Sequence, residues 1–428
     1  MPSSGATREI AAIDGLRALA ILLVVWCHLY TQASAHAWPL GPMPLQRVAQ
    51  LGFSGVDLFF VLSGFLLFLP YSRAILAGAP LPSTKKFYYR CLLRIVPLYL
   101  FALITLLLFQ NHDLLQRGYT ISLVLTVLLL HDMSNNSTFY VQLLNIVLWT
   151  LAVEWQFYLV LPWLARVIHA MAGPHDRRGF GLRLMTVSGL VIVWGLLVRL
   201  VASLFYAQTG VLPVEAPHGL GVLFALIYGT NGKFLETFGL GMALSLVYVA
   251  AGERRQLTRA WRAIFGIGAA LAAAAGWVGC VLWVTHPAGG VTADPNAAFF
   301  VPSWTPWGEL GQWVLGVTYT LLVFAVLLGP PAFSGLFSLA PLRYIGIISY
   351  SIYIWHYPII KNLVAIMPDV SPLGYVSLAV KAGAVILLYC SASYFFVERP
   401  FLSLRRAAHS SSEVRLALQA TQGAEPAT

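Results

Sequence analysis

Apolar runs long enough to cross a bilayer recur along most of this chain, and they limit its fold more than any other feature. A membrane-spanning helix needs about 20 apolar residues, and shorter runs usually stay buried or re-entrant. Nine runs approach spanning length: residues 10–30, 51–70, 146–165, 185–207, 232–250, 262–284, 312–330, 343–366 and 376–397. Two shorter runs lie at residues 95–110 and 119–131. The pattern predicts an all-α membrane protein.

The distribution of basic residues predicts how many of the eleven runs cross the bilayer. Basic clusters, which favour the cytoplasmic side, lie at residues 73–94, 166–183, 254–262 and 399–406. Three candidates separate the first two clusters, so one of them cannot cross. The run at 119–131 is the shortest, and we expect a re-entrant or short buried segment there. The prediction is one bundle of about ten spans, in the cytoplasmic membrane, with both termini cytoplasmic.

Composition agrees with a membrane domain and excludes other classes. The chain is 59% hydrophobic and 10% charged, whereas soluble domains carry about 25% charged residues. The net charge of +10 fits cytoplasmic loops rather than a nucleic-acid partner. Four scattered cysteines show neither metal-ligand nor disulfide spacing. We assign residues 1–9 to a cytoplasmic N-terminus, 10–402 to the membrane domain, and 403–428 to a disordered cytoplasmic tail.

Arg17 and His28 are the ionisable pair that most suggests chemistry. Eleven residues make three helical turns plus about 20°, so the two side chains share one face, roughly 16 Å apart along the axis. Ionisable side chains at membrane depth are costly and normally face a bundle interior, a cavity or each other.

Two carboxylates and two arginines within apolar runs are further candidates. Asp57 is either an interfacial helix cap or the partner that orients His28. Glu154 is either a structural ion-pair partner or a functional intramembrane carboxylate. Arg90 and Arg94 share a helix face. They are either ordinary cytoplasmic anchors or a clamp for phosphates.

A polar stripe near the C-terminus gathers hydroxyls and a second histidine. Ser349, Tyr353 and His356 recur at intervals of three and four residues, which is typical of one helix face. The stripe is either a hydrogen-bonding seam between helices or part of a substrate site.

In their order along the chain, these segments resemble the acyltransferase 3 family of polytopic membrane O-acyltransferases. The resemblance runs from about residue 9 to 402. The segments that carry it are Arg17-x10-His28, Gly55-Val-Asp-Leu-Phe-Phe-Val-Leu-Ser-Gly64, Phe87 to Pro97, Trp149-Thr-Leu-Ala-Val-Glu154, Ser349-Tyr-Ser-Ile-Tyr-Ile-Trp-His356 and Glu398-Arg-Pro400.

The resemblance implies transfer of an acyl group, commonly acetyl, from cytoplasmic acyl-CoA to a hydroxyl of a sugar-containing acceptor. It makes His28 the essential histidine and Arg17 its paired arginine. Arg94 matches the second arginine of the family's R-x-x-R motif, whereas Cys91 stands where the first is expected. The acceptors that the resemblance implies are cell-surface polysaccharide, lipopolysaccharide O-antigen, peptidoglycan and some macrolide antibiotics, and we expect a carbohydrate or glycolipid here.

The resulting hypothesis assigns a role to each candidate. His28 is the general base, oriented by Asp57 or Glu154. Arg17, Arg90 and Arg94 hold the acyl-CoA donor, which is a substrate rather than a permanently bound cofactor. The substrate-binding candidates are Trp149, Ser349, Tyr353 and His356, and no metal is expected. The alternatives are a transporter or flippase for a glycolipid or small anionic solute, and a non-catalytic receptor or scaffold.

Overall fold

The computed structural model describes residues 4–33, 49, 51–116, 118–171, 177–217, 219–230, 232–253, 258–285, 306–367 and 372–404, and it is helical almost throughout. The α-helices, in chain order, are α1 Ser4–Gln32, α2 Gly55–Ala77, α3 Thr84–Phe109, α4 Asp113–Gln116, α5 Thr120–Val127, α6 Asn135–Asn145, α7 Trp149–Met171, α8 Arg177–Val187, α9 Trp194–Thr209, α10 Leu220–Ile227, α11 Leu235–Glu253, α12 Arg259–Thr285, α13 Pro306–Leu328, α14 Pro331–Phe337, α15 Ala340–Ile347, α16 Ser349–Ile366 and α17 Pro372–Ser393. Short 3₁₀ segments are Leu51–Ser54, His131–Met133, Ile146–Leu148 and Pro213–Glu215, and π-helical turns are Ser188–Val193 and Tyr394–Glu398. Across these ranges there is no β-strand.

Nine helical stretches in the described part of the chain are long and apolar enough to span a membrane, which confirms the all-α, multi-pass prediction. They are Ala11–Gln32, Leu51–Ala77, Thr84–Phe109, Asn135–Met171, Gly181–Thr209, Leu235–Gly252, Ala260–Leu282, Gly311–Leu328 and Gly374–Leu404. The short run at 95–110 belongs to the 26-residue helix α3. The run at 343–366 is broken at Ile348 into α15 and the 18-residue α16, whose hydroxyls and histidine make it less apolar than the nine.

The predicted non-spanning segment at 119–131 is helix α5, with only eight residues. Eight residues rise about 12 Å, less than half of the hydrocarbon core. Ile121 and Val124 on α5 are 77% and 50% exposed, so the helix lies on the surface of the bundle with only Ser122 and Thr126 turned inward.

Helix α1 lies inside the bundle, and two glycines allow this placement. A Cβ atom at Gly15 would overlap the carbonyl oxygen of Phe337, and one at Gly346 would overlap the backbone of Asp14. The helix therefore approaches α14 and α15 backbone to backbone, and it also packs against α2 and α16. More than half of the residues of α1 within its spanning stretch are consequently buried against protein.

Helices α2 and α11 cross with equally close backbones. A Cβ atom at Gly64 would overlap the carbonyl oxygen of Phe238, and one at Gly241 would overlap that of Val61. Stacking of Phe238 on Phe157 of α7, with ring centroids 4.0 Å apart, extends this core to a third helix. Small residues at helix crossings are typical of packing in bilayers.

Two predicted segments fall partly outside the described residues. Of the predicted tail at 403–428, residues 405–428 lie outside them, as do residues 1–3 of the N-terminal segment 1–9. Helix α1 already begins at Ser4, so the rest of that segment belongs to the same helix as the first span.

Candidate active site

A cavity inside the bundle collects residues from five helices. Its lining is Arg17 of α1, Val56, Phe59, Phe60, Leu62, Ser63 and Leu66 of α2, Arg94 and Ile95 of α3, Thr150, Leu151 and Glu154 of α7, and Ser349, Tyr350 and Tyr353 of α16. It leaves about 50 Å³ for the centres of water-sized molecules, which is space for several waters. Five of the ten residues predicted for the site therefore line one cavity: Arg17, Arg94, Glu154, Ser349 and Tyr353.

The two arginines of the cavity are surrounded by carboxylates. The charged neighbours of Arg17 are Arg94, Asp14, Glu398 and Glu154. Glu154 accepts hydrogen bonds from Ser63 Oγ, at 2.6 Å, and from the Tyr158 hydroxyl. These bonds hold the Glu154 carboxylate at a fixed position beside the guanidinium groups. The cavity thus combines fixed cations that can bind an anionic ligand with a fixed acceptor of hydrogen bonds.

Ser349 and Tyr353 present two different hydroxyls at the cavity wall. Tyr353 OH lies 2.6 Å from Thr150 Oγ1 and donates to the carbonyl oxygen of Val147 at 2.8 Å. Ser349 Oγ is fully buried and has no hydrogen-bond partner among the described residues. An unsatisfied buried hydroxyl is costly, so a ligand that accepts a hydrogen bond from Ser349 would be stabilised there.

His28 and His356 form a buried pair one helical turn beyond the cavity. His356 Nε2 lies 3.2 Å from His28 Nδ1, and the ring centroids are 4.9 Å apart. His28 Nδ1 is also 2.9 Å from the carbonyl oxygen of Val24. Because His356 follows Tyr353 by three residues on α16, the pair continues the stripe that begins in the cavity. His28 is only 7% exposed, so it faces the bundle interior.

Among the described residues, neither candidate carboxylate is a hydrogen-bond partner of His28, whose ring lies beside His356 and the Val24 carbonyl. The hydrogen bonds of Glu154 come from Ser63 and Tyr158 instead. Asp57 is 2% exposed, and its charged neighbours are Arg199 and Glu236. Asp57 lies on the side of α2 that faces α9 and α11, and its charged neighbours come from these two helices.

Arg90 and Trp149 also lie away from the cavity lining. Arg90 Nε donates to the carbonyl oxygen of Lys86 at 3.2 Å, on the surface of α3. The ring of Trp149 packs against Phe234, with centroids 5.7 Å apart. Arg90 and Arg94 are four residues apart, so their side chains differ by about 40° in direction around the helix axis. Of the two, only Arg94 lines the cavity.

Sequence reasoning missed several residues that the structure places at polar sites. Ser63, Tyr158 and Thr150 hold the side chains of Glu154 and Tyr353. The nearby Glu398 accepts a hydrogen bond from Ser351 Oγ at 3.0 Å. As a carboxylate in an apolar run, Glu398 already carried the signal of an intramembrane ionisable residue. The hydroxyls carried no comparable signal.

The fold and this site define a polytopic membrane protein with an ionisable centre inside its helical bundle. A family model described as an acyltransferase domain matches residues 10–395. The chain belongs to this family, which confirms the resemblance found in the sequence. The comparisons give no support to a transporter or flippase.

Curated relatives cover nearly all of this chain. It is 27% identical over 407 residues to the peptidoglycan O-acetyltransferase OatA of Listeria monocytogenes, across 92% of this chain and 56% of that protein. It is 28% identical over 408 residues to the putative peptidoglycan O-acetyltransferase YrhL of Bacillus subtilis, across 92% and 55%. The O-acetyltransferase OatA of Staphylococcus aureus is 24% identical over 421 residues, across 92% and 57%. The chain thus spans little more than half the length of these relatives, and no solved structure matches it significantly.

Proposed function

We propose that this protein is a membrane O-acyltransferase that moves an acetyl group from acetyl-CoA to a hydroxyl of a cell-surface polysaccharide. The observation that carries the proposal is the alignment of a cavity containing Arg17 and Arg94 with the buried pair of His28 and His356. Family membership supports acyl transfer. The names of the relatives support a cell-wall polysaccharide such as peptidoglycan as the acceptor.

In the proposed reaction, Arg17 and Arg94 bind the anionic part of the donor, and the thioester lies in the cavity. Ser349 donates a hydrogen bond to the thioester carbonyl oxygen, where negative charge develops during attack. The acceptor hydroxyl attacks the carbonyl carbon while His28 takes its proton. The carbon–sulfur bond then breaks, and the imidazolium returns the proton to the leaving thiolate. A general base of this kind contributes roughly 10²- to 10⁴-fold to the rate.

The packing of α3 against α7 supports cytoplasmic entry of the donor. Arg166 Nη2 donates to Thr84 Oγ1 at 2.9 Å, so the end of α7 lies beside the start of α3. Two of the basic clusters thereby meet at one end of the bundle, as the positive-inside rule requires. We propose that this end, together with both termini, faces the cytoplasm. Labelling of single cysteines introduced at position 85, in otherwise cysteine-free protein within intact cells, tests that orientation.

The activity is tested with purified protein in lipid nanodiscs, given acetyl-CoA and soluble peptidoglycan fragments. The expected result is release of free CoA thiol together with a mass increase of the glycan that corresponds to acetyl. Transport of an acceptor without thiol release, or thiol release that does not depend on acceptor, would contradict the proposal.

Arg94 and Arg90 provide a matched pair of variants for the same assay. Both substitutions, Arg94→Ala and Arg90→Ala, remove one positive charge from α3, one helical turn apart. Only Arg94 lines the cavity, so Arg94→Ala should raise the KM for acetyl-CoA at least tenfold, as loss of a charge-assisted contact implies. Arg90→Ala should change it little, and equal effects of the two substitutions would argue against the cavity as the donor site.

A further inference from the structure

The hydrogen bonds around His356 fix the position of its proton. His356 Nδ1 lies 2.9 Å from the carbonyl oxygen of Ile352 and 2.9 Å from that of Tyr353. Carbonyl oxygens only accept hydrogen bonds, so Nδ1 of His356 must carry a proton. The same argument applies to His28, because its Nδ1 lies 2.9 Å from the carbonyl oxygen of Val24. Nδ1 of His28 therefore carries a proton as well.

These protons then fix which ring nitrogen donates and which accepts in the contact between His28 and His356. His28 Nδ1 and His356 Nε2 are 3.2 Å apart, and the first of these atoms already bears a hydrogen. A second proton on His356 Nε2 would bring two N–H groups together in a buried site, at the cost of an unmade hydrogen bond. His356 Nε2 thus accepts from His28 Nδ1, and the proton-free nitrogen of His28 is Nε2.

We infer that His356 is a positioning residue that, together with the Val24 carbonyl, holds His28 in the tautomer whose Nε2 can take a proton from the acceptor hydroxyl. In serine hydrolases a carboxylate orients the catalytic histidine and fixes its tautomer. Here the neutral imidazole of His356 and the Val24 carbonyl have this role together. This inference rests on the proposed function for its catalytic meaning. The tautomer itself follows from the hydrogen bonds alone. It replaces the sequence-based prediction that His356 binds substrate.

The geometry also excludes a proton wire through His356. A wire would require His356 to gain a proton at Nε2 and release another from Nδ1. Its Nδ1 faces the carbonyl oxygens of Ile352 and Tyr353, and these groups cannot carry a proton onward at neutral pH. The proton taken by His28 therefore returns from His28 itself.

Two substitutions of His356 separate this role from simple packing. His356→Leu removes the acceptor, whereas His356→Gln keeps an amide oxygen that can accept from His28 Nδ1. Both variants lose the imidazole bond to the α16 backbone, so their difference isolates the acceptor. We expect His356→Leu to lower kcat about 10- to 100-fold, as loss of an orienting partner does elsewhere. The KM for acetyl-CoA should stay unchanged, and His356→Gln should recover most of the rate.

A double substitution tests whether His356 acts through His28. If it does, adding His356→Leu to His28→Ala should leave the residual rate unchanged, because coupled residues are not additive. Independent and additive losses in the two backgrounds would overturn the proposal. So would a fall in kcat that His356→Gln does not recover while the variant stays folded.

Nitrogen NMR of histidine-labelled protein reads the tautomer without any assay of activity. Chemical shifts of ring nitrogens distinguish protonated from proton-free atoms, and the His28 signals are assigned by their loss in His28→Ala. The expected wild-type state is a protonated Nδ1 and a proton-free Nε2. In His356→Leu only the Val24 carbonyl still favours a proton on Nδ1, so the fraction of the other tautomer should increase. A wild-type His28 protonated at Nε2 instead would refute the inference even in an active enzyme. If the expected tautomer were found in protein without acyltransferase activity, only the proposed function would fail.

Discussion

Arg199 and Glu236 form an ion pair inside the bundle that should dominate the stability of its second polar cluster. Arg199 Nη2 lies 2.6 Å from Glu236 Oε1, and both side chains are 3% exposed. The guanidinium also donates to Gln312 Oε1 at 2.5 Å and lies 4.8 Å from the ring centroid of Phe234. This cluster ties α9, α11 and α13 together, and it shares no residue with the cavity lining.

Breaking a buried ion pair from one side leaves an uncompensated charge, which typically costs 3–5 kcal/mol. Arg199→Met should destabilise the protein by this amount or more, since it leaves Glu236 beside a second carboxylate, Asp57. Glu236→Leu should cost somewhat less, because Asp57 remains near the guanidinium. The double variant removes both charges of the pair, so it should be less destabilised than the sum of the two single variants, although Asp57 then lacks its cationic neighbour.

The assay is reversible unfolding in mixed micelles, followed by circular dichroism at pH 7, for the wild type and the three variants. A double variant as unstable as the sum of the single ones would show that packing and not charge pairing governs this cluster. Single variants that each cost less than about 1 kcal/mol would refute the buried-pair reasoning. Folded molecules of every variant should keep the wild-type KM for acetyl-CoA, because neither residue lines the cavity.

Three further predictions concern single positions. Tyr353→Phe should lower the free energy of unfolding by about 1 kcal/mol but leave kcat nearly unchanged, since its hydroxyl is bonded to protein; a tenfold loss of kcat would assign it to the chemistry. Gly64→Val should abolish stable folding by clashing with Phe238, whereas Gly383→Ala, with open space around it, should stabilise by roughly 0.5–1 kcal/mol in thermal unfolding. His131→Leu should flatten the loss of thermal stability between pH 6.5 and 4; an unchanged slope would contradict this.

The direction of the pH effect on stability follows from the burial of His131, which lies in the short 3₁₀ segment before α6. Burial, opposed in part by the charge of Asp132, lowers the pKa of His131 from 6.5 to about 4. Between these values the unfolded chain binds a proton that the folded protein does not, so unfolding becomes easier as the pH falls. Leucine cannot bind that proton, and the variant loses this contribution.

Local features of the site could be predicted from the sequence because helix geometry is regular. Arg17 and His28 share one continuous helix, and Ser349, Tyr353 and His356 share another, so each set lies along one face. The charge and polarity of these residues within apolar runs then indicated a buried location.

Contacts between distant helices could not be predicted in this way. The ring contact of His28 and His356 joins residues 328 apart in the chain, and no period in the sequence encodes it. For this reason the sequence suggested a carboxylate as the partner of His28, whereas the structure places His356 beside it. Asp57 and Glu154 have suitable chemistry, but the rotation of α2 and α7 aims them at other groups.

Cys91 stands where the resemblance to the family implies an arginine of the proposed donor site. The side chain of Cys91 is 4% exposed and lies near Arg94 and Tyr158, beside the cavity. An arginine at this position would add a second guanidinium from α3. Arg90 does not replace it, because its side chain donates to the Lys86 carbonyl on the surface of α3. Arg17 of α1 is then the other guanidinium in the cavity lining. The two guanidinium groups of the proposed donor site therefore come from two different helices, α1 and α3.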